Sequence, residues 1–205
     1  LPWAVVPEIQ AVYARMKLVW PHIRLYGVSI GAWLAMQALR TEKPEKADKT
    51  ELEQVKNKFK INGKYFLYVS TIEPRKNVET IIAGFNSFMD DRKDRTQPYY
   101  MVLAGGLGWK YEGVLKQIEN SSYKDNIIMT GFISQKEKQC LFEGALGFVY
   151  PSLYEGFGIP LLEAMNYGLP IITTNVSSLP EVGQDAVMYI KEPKDAKGLA
   201  ALLTK

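Results

Sequence analysis

The sequence predicts an α/β domain: a Rossmann-like parallel sheet of about six strands with helices on both faces, preceded by an N-terminal appendage. Two observations carry this. Short apolar runs fall at 65–69, 100–104, 126–130, 147–150, 170–174 and 187–190. Helical periods separate most of them, and strands alternating with helices imply βαβ units rather than hairpins.

Residues 1–50 read as the appendage, either the tail of a preceding domain plus a linker or an unrelated packing unit. Residues 7–17 fit a helix with Ile9, Val12, Tyr13 and Met16 on one face, ended by Pro21. Residues 23–28 fit a strand and 30–39 a second helix. The charged stretch 41–49, with Pro44, reads as a linker. Gly27-Val28-Ser29-Ile30-Gly31 has the spacing of a nucleophile elbow. That reading makes the chain a serine hydrolase, but the one histidine, His22, precedes Ser29 and belongs to the far end of the same strand. As plain structure, Gly27 and Gly31 serve close packing between strand and helix.

From residue 51 to 205 the chain reads as one domain. The helix after the first strand places Val78, Ile81, Ile82, Phe85 and Phe88 on one stripe. Ser134-Gln135-Lys136-Glu137 is a capping box that opens another helix. The run 147–150 stops at Pro151. A two-glycine loop follows, then a helix expected to have Pro160 at its first position, Glu163 in its first turn and Gly168 just past its end.

In such sheets ligands bind beyond the carboxyl ends of the strands. The loop after the first strand, Ser70-Thr71-Ile72-Glu73-Pro74-Arg75-Lys76-Asn77, offers two adjacent cations, Arg75 and Lys76, ahead of a helix, a pairing suited to a diphosphate. The loop after the fourth strand offers Glu155, with Gly156 and Gly158 to let the backbone approach a ligand, and Glu163 beyond it. Two carboxylates at different depths can accept from two sets of sugar hydroxyls. Read as plain structure, Glu163 complements a helix dipole, Glu155 is a solvated loop residue, and Arg75 and Lys76 are solvated cations.

Composition sets bounds. The net charge of +3 is too small to argue for nucleic acid. One cysteine, Cys140, excludes an internal disulfide and fits a reducing compartment. One histidine and one cysteine exclude the usual zinc sets, and Asp90, Asp91 and Asp94 read as a solvated helix end, so no metal is expected. The longest apolar run, 27–39, is shorter than the ~20 residues a membrane span needs. No basic leader precedes an apolar core, so a signal peptide is not expected.

The string from Tyr150 to Met165, with its Pro-Ser, Glu-Gly-Phe-Gly and Glu-Ala-Met, resembles the Glu-x7-Glu signature of the retaining GT-B glycosyltransferases, the "glycosyl transferases group 1" family. The resemblance covers about residue 51 to the end. It implies a donor-binding, C-terminal half of a GT-B enzyme that transfers a hexose from an NDP-sugar to an acceptor hydroxyl with retention. By the same resemblance, Arg75 and Lys76 serve the diphosphate, Gly105 and Gly106 keep the crevice open, and the backbone at Phe132 and Ile133 meets the nucleobase. Glu163 holds the ribose. Glu155 and the amides of Gly156, Phe157, Gly158 and Ile159 hold the sugar, with Glu155 the catalytic carboxylate.

Much of the family has an Arg where Thr71 stands here, and Arg75 is read as supplying that charge. The Glu-Pro-Arg-Lys-Asn variant resembles bacterial polysaccharide mannosyltransferases, so GDP-mannose is the first donor expected. No cofactor or metal is implied. The acceptor, a glycan or a lipid-linked glycan, would be bound by a further N-terminal domain. The expected site of action is cytoplasmic, with peripheral contact at the inner membrane face. The family carries further C-terminal helices, so a truncated donor domain is expected, and because a GT-B site is closed by two domains, little turnover by this chain on its own is expected. A non-catalytic nucleotide-binding or scaffold domain of the same fold is the alternative.

Overall fold

A computed structural model describes residues 47–205. The expected helices at 7–17 and 30–39, the strand at 23–28, and Ser29 with His22 lie outside the described residues. Six strands form one sheet: β1 (Lys64–Val69), β2 (Tyr99–Ala104), β3 (Ile127–Gly131), β4 (Gly147–Tyr150), β5 (Ile171–Thr174) and β6 (Met188–Ile190). Every pairing is parallel, in the order β3-β2-β1-β4-β5-β6.

The strands match the apolar runs of the sequence, with ends trimmed where chemistry requires. Pro170 stays outside β5 because it has no N–H for the ladder, and its carbonyl instead accepts from Phe148 N–H at 2.8 Å. Asn126 ends a 3-10 turn (Lys124–Asn126) and sends its side-chain amide to the Tyr99 carbonyl at 2.9 Å.

The helices are α1 (Lys49–Lys58), α2 (Val78–Asp91), α3 (Glu112–Glu119), α4 (Gln135–Gly144), α5 (Ile159–Asn166), α6 (Leu179–Gly183) and α7 (Ala196–Leu203). Right-handed crossovers put α2 and α3 on one face of the sheet and α4, α5 and α6 on the other. The contacts agree: α2 packs on α3 and α7, and α1 packs on α4. The predicted stripe Val78, Ile81, Ile82, Phe85 and Phe88 is buried on α2. Because β1, β2, β4 and β5 are covered on both sides, their residues read as continuous apolar runs rather than alternating ones.

Two helix starts have local causes. The predicted capping box at Ser134 is present, with Ser134 N–H donating to Glu137 at 2.7 Å and Glu137 N–H donating back to Ser134 Oγ at 3.2 Å. Asp48 and Glu51 form a second one, which starts α1 at Lys49, inside the stretch read as linker. Glu137 also pairs with Lys58 of α1, and Lys136 pairs with Glu51 at 2.7 Å. The cap of α4 therefore also fastens α1 to the domain. Replacing Ser134 with Ala is expected to lower stability by about 1 kcal/mol, read as a reduced denaturant midpoint with unchanged slope.

Candidate functional site

The strand order reverses between β1 and β4, because β1 is followed by a strand on one side and β4 by a strand on the other. A crevice at the carboxyl ends of the strands is expected at such a switch point. The loops after β1 and β4 flank it, and these carry the cations and the first glutamate.

The loops are clipped together through the backbone. Leu153 N–H donates to the Arg75 carbonyl at 2.8 Å, and the Asn77 side-chain amide donates to the Pro151 carbonyl at 2.9 Å. Asn77 adopts φ 57°, which a short polar side chain tolerates, and joins the 3-10 turn Pro74–Lys76 to α2. On the β2 side, Gly105 has φ +145°, and a Cβ there would lie 2.0 Å from the Ser70 carbonyl oxygen. No other residue lets the first loop lie so close to the end of β2.

Arg75, Lys76 and Glu155 meet directly. Lys76 Nζ is 2.6 Å from Glu155 Oε1, and an Arg75 terminal nitrogen is 2.9 Å from Glu155 Oε2. Tyr150 O–H donates to Glu155 Oε1 at 2.7 Å and accepts from Lys76 Nζ at 2.5 Å. Ser152 Oγ lies 2.7 Å from the same carboxylate oxygen and 3.0 Å from the Arg75 carbonyl. Its single proton favours the charged acceptor. The other guanidinium nitrogens of Arg75 go to Glu73 at 2.7 and 3.1 Å, and the nitrogen facing Glu155 also donates to the Tyr154 carbonyl at 2.7 Å.

Glu155 is therefore not a solvated loop residue. It is 8% exposed and Lys76 is 6% exposed, so the ion pair sits where solvent screens it little. Burial opposes ionisation of Glu155, but donation from Lys76, Ser152 and Tyr150 outweighs it and holds the carboxyl below its usual range. Burial draws the Lys76 ammonium below its usual range despite Glu155, and burial drives the Tyr150 phenol far up, so it stays a neutral donor. The Glu155 backbone is held too: its carbonyl accepts from Ser178 Oγ at 2.9 Å and from Ser177 Oγ.

Glu163 stands apart from this cluster. α5 begins at Ile159, one residue earlier than expected, because Gly158 at φ +98° forms the N-cap. Pro160 is then the second helical residue and Glu163 falls in the second turn, too far in for a strong dipole role. Glu163 pairs with Lys138 of α4 at 2.8 Å, both about a quarter to a third exposed. Pro160 has no N–H, and Leu161 N–H returns to the Gly158 carbonyl at 3.0 Å, which leaves the Ile159 amide of the first turn to meet an anion.

The remaining candidates follow the ends of β2, β3 and β4. The Phe132 ring lies over Gly106, where a Cβ would come within 2.4 Å of it, and is otherwise 90% exposed. Ile133, Phe157 and Ile159 are partly buried against the core. A Cβ at Gly156 would meet nothing within 4 Å, so that face is open to a ligand. Six participants were given no role from sequence: Glu73, Tyr150, Ser152, Lys138, Ser177 and Ser178. The first three adjoin residues that were singled out, but no spacing rule announces their side-chain directions. Among the described residues no group of three or more His, Cys, Asp or Glu could hold a metal ion, and no helix is long and apolar enough to cross a membrane. Asp90 of the acidic helix end accepts from Tyr123 O–H at 2.7 Å.

A cavity of about 630 Å³ opens at the opposite edge, at the starts of β1, β2, β4 and β6, between Lys64, Tyr99, Gly147 and Met188. It holds none of the candidate residues and lies at the amino ends of the strands, where such sheets do not place ligands.

The model of the glycosyl transferases group 1 family matches residues 49–205. The chain belongs to this family. It is 36% identical over 137 residues to O-antigen chain mannosyltransferase B of Escherichia coli, covering 67% of this chain and 35% of that protein. It is 32% identical over 157 residues to the serotype-specific mannosyltransferase WbdA of Escherichia coli, covering 75% of this chain and 19% of that one. The chain thus spans about a third or less of the curated relatives it matches. Among solved structures, Anabaena HepE in complex with UDP superposes with a TM-score of 0.65 at 16% identity, over 78% of this chain and 43% of that one. That likeness shows the GT-B-like α/β fold.

The depressed Glu155 carboxyl fixes a sign. A lowered folded-state value stabilises the fold above the unfolded carboxylate value of about 4.3, and this is lost as pH falls through the folded value. The melting temperature of the wild-type chain should exceed that of Glu155→Gln at pH 7, with the gap shrinking steadily between about pH 4.3 and the acid limit of folding.

Proposed function

We propose that this chain carries the donor-binding half of a retaining hexosyltransferase, which moves a sugar from a nucleoside diphosphate to an acceptor hydroxyl. One observation carries the reading: Arg75, Lys76 and Glu155, from loops about 80 residues apart in sequence, converge at the β1/β4 switch point. The relatives support the class of donor, since two are named mannosyltransferases and HepE is described with UDP bound. GDP-mannose is the first donor to test.

In this reading Arg75 and Lys76 neutralise the departing diphosphate, and the Ile159 amide adds a donor at the helix start. Glu163, oriented by Lys138, accepts from the ribose hydroxyls. Glu155 and the backbone from Gly156 to Ile159 hold the sugar and favour positive charge at its anomeric carbon. The backbone at Phe132 and Ile133 meets the base, and Gly105 and Gly106 leave room for it. Cationic side chains do the work a divalent ion does elsewhere, so no metal is required. The acceptor, a glycan or a lipid-linked glycan, binds a partner domain across the crevice, and residues 1–205 alone transfer little sugar.

Calorimetry with UDP, GDP and ADP in excess EDTA tests this. One of the three should bind, and binding that vanishes with the metal would count against the assignment. Glu163→Ala should weaken that nucleotide about tenfold or more, as expected for lost hydrogen bonds to a charged group, with the melting temperature nearly unchanged. Unchanged affinity in folded Glu163→Ala would remove the ribose role.

A further inference from the structure

The cluster at the switch point is electrically balanced: Arg75 and Lys76 face Glu73 and Glu155, two cations against two carboxylates. Both cations that would receive a diphosphate are already paired with carboxylates. Glu155 Oε1 accepts from Lys76 at 2.6 Å, Tyr150 at 2.7 Å and Ser152 at 2.7 Å, and Oε2 faces Arg75 at 2.9 Å. Oε1 has no capacity left for a sugar hydroxyl.

We propose that Glu155 and the diphosphate compete for Arg75 and Lys76, so that Glu155 makes the site prefer an intact sugar nucleotide over the free nucleoside diphosphate it releases. The inference rests on the donor-site reading above. The argument is one of exchange. A diphosphate offers acceptor oxygens only. If it takes the two cations, a buried carboxylate is left with fewer donors, which is strongly unfavourable. A sugar nucleotide brings both replacements at once, phosphate oxygens for Arg75 and Lys76 and hydroxyl donors for the displaced Glu155. When the sugar has been transferred, the hydroxyls leave with it, Glu155 reclaims the cations, and the free diphosphate is held more weakly than the sugar nucleotide was. Tyr150 and Ser152 are positioning residues in this exchange, since they hold Glu155 toward Lys76 in the unliganded site.

The competition is distinguishable from an ordinary sugar contact. A plain contact predicts that Glu155→Gln weakens the sugar nucleotide and leaves the free diphosphate unchanged. Competition predicts that the free diphosphate binds more tightly. The test is calorimetry of GDP against GDP-mannose, UDP against UDP-glucose and ADP against ADP-glucose, on the wild-type 205-residue chain and on Glu155→Gln, with melting curves for both. The wild type should prefer the sugar nucleotide. Glu155→Gln should bind the free diphosphate about tenfold more tightly, the scale of a hydrogen bond to a charged group, and should lose the preference. Glu155→Asp, whose shorter side chain holds Arg75 and Lys76 less closely, should shift the free diphosphate in the same direction by a smaller factor, and it decides the matter if Glu155→Gln does not fold. Free-diphosphate affinity that is unchanged or weaker in the folded variants would overturn the inference alone. Failure of the wild type to bind any of the six nucleotides would overturn the donor-site reading and this inference together.

Discussion

A carboxylate removed from water must be given donors, and the arrangement around Glu155 is organised by that requirement. Two cations, a phenol and a hydroxyl converge on its two oxygens. Removing one partner of such a buried pair costs about 3–5 kcal/mol, because the other charge is then left uncompensated. The ion pairs therefore do more than decorate the crevice. They join the loop after β1 to the loop after β4 across the point where the sheet changes direction, and the backbone bonds from Leu153 and to Pro151 follow the same seam.

The packing beneath explains why those loops can be held so closely. Tyr68 of β1 and Tyr150 of β4 lie fully buried with ring centroids 6.1 Å apart, and Tyr150 stacks on Phe148 at 5.8 Å. Lys76 Nζ lies 5.0 Å from the centre of the Tyr150 ring. The aromatic layer thus serves two roles. It fills the core between neighbouring strands, and through one hydroxyl it reaches the charged cluster above. A buried cation tolerates this position because a phenol oxygen and a carboxylate accept from it. At the edge of the same crevice, the Glu163–Lys138 pair is more exposed and better screened, so it is a looser contact.

The two carboxylates are thereby set in different electrostatic surroundings, although both were singled out for the same reason. Glu155 is deep, with Oε1 fully engaged, and is coupled to cations on another loop. Glu163 is shallow, on a helix, with one lysine partner. The roles proposed for them rest on that contrast: a carboxylate already committed to cations for the one, and a more open acceptor for the other.

Most of the fold was legible from the sequence. The six apolar runs became six strands, and the runs are least broken in β1, β2, β4 and β5, where parallel strands covered on both faces bury most of their residues. The stripe on α2 and the box at Ser134 were legible because helix periodicity and caps are local. Glycine positions were also informative, since a left-handed N-cap at Gly158 and the close approach at Gly105 admit little else. The start of α1 was missed because its cap, Asp48, sits in a charged stretch that composition reads as linker. The nature of the site was legible only in part. Sequence named Arg75, Lys76, Glu155 and Glu163 as chemistry-bearing residues, but it could not say that Arg75 and Lys76 spend their charge on Glu73 and Glu155, or that Tyr150 joins them. Those contacts span 74 to 80 positions of chain apart from the Glu73 pair, and only the strand order brings them within bonding distance. Local rules determine which residues form each strand, turn and cap. Which charges meet is decided by the sheet, because charge pairing depends on separations of a few ångströms that no sequence spacing encodes.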